Sequence, residues 1–155
     1  MKLFIPELGT TFKLEKDWEF TLFTEDRNEA LYLAAGFKED TKRSYLYSKK
    51  ERVDRTNGCL EAGWKMDGSW IFKRNVTLPV GSIITIDRIY IRKGAADFSS
   101  ISFNLLRRSV NPDYSSFAKN INSGRGRCRF WVKLKDANQM DVSLMTDPPH
   151  ITPFI

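Results

Sequence analysis

The sequence predicts a mostly β fold, a single-domain bent barrel or sandwich with one short N-terminal helix. Three observations carry this. Apolar and polar residues alternate with period two in several short runs, the phase of one isoleucine-rich run slips, and Gly, Pro, Asn and Asp clusters separate the runs. Alternation marks strands with one face on a core. A phase slip marks a β-bulge, where one extra residue turns the inward face over. Strands bent in this way close economically into a small barrel.

Taken in order, Phe12 and Leu14 alternate with Thr11 and Lys13, then Trp18, Phe20 and Leu22 with Glu19 and Thr21. The stretch from Asp26 to Gly36 has a capping candidate, good helix formers and a terminal glycine, which predicts the helix. Residues 38–57 carry seven Lys/Arg and predict a basic, mobile connection. Asp67-Gly68 separates Trp64-Lys65-Met66 from Trp70-Ile71-Phe72 as a turn would. Within Ile83–Arg92, Ile84 and Ile86 share one parity and Ile89 and Ile91 the other, so the bulge is expected at Asp87-Arg88, with both Ile86 and Ile89 buried. Ile101, Phe103 and Leu105 follow, then a loose connection from Asn111 to Gly124 with one helical turn around Ser116–Ile121. Residues 127–145 read as a β-hairpin, Phe130, Val132 and Leu134 facing inward, Lys135-Asp136-Ala137-Asn138 turning, and Met140, Val142 and Leu144 returning. Leu8–Lys16 echoes Val80–Arg88 in residue type at nearly every place, as two glycine turns each feeding a strand would.

A chain of 155 residues with 41% hydrophobic residues can bury a core without a disulfide or metal. No apolar run approaches the roughly 20 residues that span a bilayer, and Pro6-Glu7 interrupts any signal-peptide core, so the expectation is a cytoplasmic protein without a membrane partner. Cys59 and Cys128 read as half-buried free thiols. Net charge is +6 but uneven: residues 1–40 hold five Lys/Arg against nine Asp/Glu, and the remainder twenty against ten. A basic body beside an acidic leader suggests an anionic partner.

Motifs for chemistry are scarce. His150 is the single histidine, which leaves a His-based zinc site or a Ser-His-Asp arrangement without its other members. Neither GxxxxGK[ST] nor GxGxxG occurs, and Gly124-Arg125-Gly126-Arg127 leads into a strand where a phosphate loop would open a helix. No cofactor motif is present and the expectation is a non-enzyme. A divalent-metal nuclease built from scattered carboxylates is the enzymatic alternative.

Val76–Ile86 resembles the strand that follows the catalytic glutamate of ADP-ribosyltransferases. Phe72, Lys73, Arg74 and Asn75 stand where that family places its Glu-x-Glu pair, so the resemblance implies no transferase activity. Leu78–Gly94 with Arg129–Leu134 is similar to small β-rich accessory proteins of phages and bacterial mobile elements. That resemblance implies an accessory or host-interaction role and carries over no functional residue.

One constellation has a physical argument. On a strand from Arg127 to Lys135, the outward parity holds Arg127, Arg129, Trp131, Lys133 and Lys135, spaced about 7 Å apart. Past the bulge, Arg88, Tyr90 and Arg92 point away from a core that takes Ile89 and Ile91, and Arg108 continues the outward parity of Ser102 and Asn104. Together these predict a cationic sheet face with two aromatic platforms, Trp131 and Tyr90. Cations neutralise phosphates and rings stack on unpaired bases, so single-stranded DNA or RNA is the favoured partner. Arg, Trp and Tyr also populate protein hot spots, and inhibition of a host protein is the alternative.

Overall fold

The computed structural model describes residues 7–23, 26–36, 63–64, 70–71, 73–91 and 99–146. The basic segment 38–57, Arg92, Cys59 and His150 lie outside them. Two glycine turns frame the central ladder. In Glu7-Leu8-Gly9-Thr10, the Thr10 N–H donates to the Glu7 carbonyl at 3.1 Å, as does the Thr10 hydroxyl at 2.6 Å. In Pro79-Val80-Gly81-Ser82, the Ser82 N–H and hydroxyl reach the Pro79 carbonyl at 3.2 and 2.7 Å. Gly9 and Gly81 have φ of 86° and 90°, the left-handed conformation that the third residue of a type II turn requires. Each turn feeds a strand, β1 (Thr11–Leu14) and β6 (Ile83–Tyr90), and these pair antiparallel with Phe12 opposite Ile84. Gly9 N–H donates to the Ile86 carbonyl at 2.9 Å and Gly81 N–H to the Leu14 carbonyl at 2.8 Å. The echo in the sequence is therefore two copies of one device, each closing the far end of the other's strand.

The remaining strands are β2 (Trp18–Phe23), β3 (Gly63–Trp64), β4 (Trp70–Ile71), β5 (Lys73–Leu78), β7 (Ser100–Leu105), β8 (Cys128–Lys133) and β9 (Val142–Leu144). Five form one sheet in the order β8-β7-β6-β1-β9, while β2–β5 and β3–β4 form separate antiparallel pairs. The architecture is mostly β, a bent sheet faced by a smaller one. It does not close into a barrel, because the edge strands β8 and β9 do not pair. Between the layers Phe20 stacks on Phe130 with centroids 5.4 Å apart, and Trp18 meets Phe103 edge-on at 6.0 Å. Phe20, Phe103, Phe130, Leu22, Ile84 and Ile101 are buried there, as alternation predicts, and Leu78 of β5 is buried with them.

The bulge lies where the phase slip predicts, with the β6–β7 register shifting between Ile86 and Arg88. Ile86 is buried and Ile89 packs partly buried against the core. Ile91, expected inside, follows the end of β6 and is exposed.

The 127–145 hairpin is corrected: β8 pairs with β7 and β9 with β1, at opposite edges of the sheet. Leu134–Ala137 form a helical turn where a β-turn was expected. Its Asp136 carbonyl accepts from Trp18 Nε1 at 3.0 Å, its carboxylate accepts from Thr21 N–H at 3.2 Å, and Ala137 is buried. Docking on β2 thus carries the chain from one sheet edge to the other, and it leaves Leu144 exposed. The expected N-terminal helix is α1 (Glu29–Ala34), entered by a 3-10 turn at Asp26–Asn28. The helical turn expected near Ser116 extends to α2 (Ser116–Ser123), capped by the Ser115 hydroxyl accepting from Ala118 N–H at 3.1 Å; Leu134–Ala137 is α3. Helix α1 packs against β8 and α2. Among the described residues no helix is long and apolar enough to cross a membrane.

Candidate anion-binding face

Strands β6, β7 and β8 are neighbours, so outward side chains from all three share a face. Register sets three rows across it: Arg88, Ser102 and Trp131; Tyr90, Ser100 and Lys133; Thr85, Asn104 and Arg129. Arg88 and Tyr90 are exposed. The bulge residue Asp87 turns its carboxylate to Arg129 Nε at 3.0 Å, which offsets one cation of the face. The Lys133 ammonium sits 5.5 Å from the centre of the Phe23 ring.

Trp131 is not an exposed platform. It is half-buried, stacked on Phe23 at 5.0 Å and nearly parallel, with the Arg27 guanidinium 5.3 Å from its ring centre. Fully buried Asn28 holds this arrangement. Its Oδ1 accepts from Trp131 N–H at 2.7 Å while its Nδ2 donates to the Phe23 carbonyl at 2.7 Å. Pairing in this way, the side chain stands in for a strand along β8. Two further expectations change. Lys135 leaves the row because β8 ends at Lys133, and Arg127 precedes β8 in the loop. Tyr90, 54% exposed, is the aromatic side chain of the face open to stacking.

At the Arg129 end the face runs into a cleft of about 930 Å³ lined by Arg107, Arg108, Arg125 and Arg127, with Asn104 and Asn122 among its other walls and, among the described residues, no carboxylate. Arg107 builds it. Its guanidinium donates to the carbonyls of Ile121 at 2.9 Å, Gly126 at 3.0 Å and Arg125 at 3.2 Å. One side chain thereby caps the end of α2, where a cation is favoured, and ties down the loop that follows. A Cβ on Gly124 would lie 2.3 Å from Arg107 Nη1, so glycine lets the guanidinium approach. Arg108 and Arg127 were expected in a cationic site; Arg107 and Arg125 were not. The signal for them was the dipeptide Arg107-Arg108 and the Gly-Arg-Gly-Arg run, set aside above because it opens no helix. A smaller cavity of about 450 Å³ on the α1 side shares Arg107, Arg125 and Arg127 but adds Glu29.

Cys128, behind the cleft, is buried, and burial pushes its thiol up to about 11 against a weaker downward pull from Arg107. At neutral pH it is a protonated core residue, not a nucleophile. Among the described residues no three His, Cys, Asp or Glu side chains gather as a metal site. Comparison of the chain with family models, curated proteins and solved structures finds no match.

Proposed function

We propose that this is a non-catalytic binding protein that holds an anionic partner, single-stranded nucleic acid, along the outer face of β6–β7–β8 and the arginine cleft. One observation carries the reading: adjacent strands bring Arg88, Tyr90 and Lys133 onto a face that leads into a cleft to which the described residues contribute four arginines and no carboxylate. A solvated sheet face needs only mixed charge, whereas arginines gathered on one concave surface raise a positive potential that attracts an anion. The exposed Tyr90 ring supplies stacking for one unpaired base.

The test is fluorescence anisotropy with a labelled single strand at low ionic strength. Arg88→Glu is expected to weaken binding at least tenfold, and Tyr90→Ala to weaken a single strand more than the matching duplex. Both side chains are exposed, so folding should be unaffected. Arg129 and Trp131 are poor choices because ion pairing and stacking give them structural roles. Retention of wild-type affinity by Arg88→Glu would defeat the reading.

A second reading, docking on a host protein, is favoured by Ile91, 61% exposed next to Tyr90. Binding to a protein partner that persists at high salt and is lost in Tyr90→Ala would select it.

A further inference from the structure

The cleft and the sheet face ask for different anions. On the face, Arg129 is paired with Asp87 and the cations stand in rows. Each row holds one cation, and a strand's phosphodiesters carry one charge each. In the cleft, arginines from two separate segments, Arg107-Arg108 and Arg125-Gly126-Arg127, line one volume. Arg107 is committed to three backbone carbonyls, and the ligand-facing role falls to Arg125 and Arg127 on the exposed loop that it holds.

A phosphate monoester carries about −1.5 to −2 charge at pH 7 and three acceptor oxygens, where a diester offers one charge. Planar guanidinium forks bind such oxygens in pairs, and that geometry is the reason arginine outnumbers lysine at phosphate sites. Among the described residues no lysine lines the cleft. Its volume, about 930 Å³, also lies in the range of small-molecule sites, which hold a nucleotide-sized ligand. We infer that the cleft is a site for a terminal phosphate monoester, carried on the end of a nucleic-acid strand or on a free nucleotide. The strand-end arm rests on the function proposed above; the free-nucleotide arm does not.

The experiment uses the full chain and four probes: one labelled strand with a 5′-hydroxyl, a 5′-phosphate or a 3′-phosphate, and a mononucleoside monophosphate as competitor beside its nucleoside. A terminal phosphate is expected to tighten strand binding about tenfold or more, the scale of one charge-assisted hydrogen bond. The monophosphate should compete and the nucleoside should not. Arg125→Ala combined with Arg127→Ala, both exposed loop positions, should erase the phosphate-dependent gain. Arg88→Glu, on the face, should leave that gain intact. Equal affinity for phosphate and hydroxyl ends with no competition by the monophosphate would overturn the inference, and so would a gain that survives in the double variant. Binding of the monophosphate alone, lost in the double variant, would support the cleft while removing the strand-binding function.

Discussion

Replacing Asn28 by Ala removes an amide that is fully buried and joins two segments distant in sequence. Two backbone groups lose partners, the Trp131 N–H and the Phe23 carbonyl, each held at 2.7 Å. A buried polar group left unsatisfied costs about 1–3 kcal/mol, so the pair is worth about 2–6 kcal/mol. That is a large share of the roughly 5–15 kcal/mol that stabilises a typical domain. Urea unfolding followed by tryptophan fluorescence reads the loss as a lower midpoint at unchanged slope. Asn120→Ala is the control, since its amide also donates to a carbonyl, that of Ala34, but from an exposed site. It should change stability by no more than about 0.5 kcal/mol. A loss below about 1 kcal/mol in Asn28→Ala would mean that water reaches these groups, and the reasoning about the β8 edge would be wrong.

Gly9→Ala and Gly81→Ala should each destabilise by about 1–2 kcal/mol through left-handed backbone strain alone, because an added Cβ meets nothing within 4 Å at either place; thermal melts giving similar shifts would confirm that the two turns are one device. Gly124→Ala should displace the Arg107 guanidinium and release carbonyls of Ile121, Arg125 and Gly126. Hydrogen exchange confined to residues 121–127 should rise, and unchanged protection would refute the pinning role. The Cys128 thiol titrates near 11 folded and near 9 ordinarily. Between those pH values the folded state keeps a proton that the unfolded chain has lost, so stability falls as pH rises through that window, by roughly 3 kcal/mol relative to Cys128→Ala. Parallel pH profiles for the two proteins would contradict this.

Inward positions were legible where a strand needs only its own pattern. Phe20, Phe103 and Phe130 alternate with polar neighbours, and the slip at Asp87 shows locally because a bulge is a local event. Pairing across long separations was not legible. Nothing between Lys133 and Val142 says that β8 and β9 lie at opposite edges, since Lys135-Asp136-Ala137-Asn138 has turn composition and becomes helical only by docking on Trp18 and Thr21. Parity correctly set Arg88, Arg129, Trp131 and Lys133 on one face. It could not show that Phe23 and Arg27 cover Trp131, because that cover comes from a segment about a hundred residues away. Arg107 escaped notice for the same reason: its role depends on the loop it reaches across 18 residues to hold.

The most direct test of the binding face is the salt dependence of affinity for a single strand lacking terminal phosphates. If Arg88, Lys133 and the cleft arginines together neutralise about four phosphates, log K against log salt should fall with a slope near −3, from about −0.7 per phosphate on a single strand. Arg88→Glu should make that slope shallower. A wild-type slope near zero, or no binding at low salt, would contradict the account.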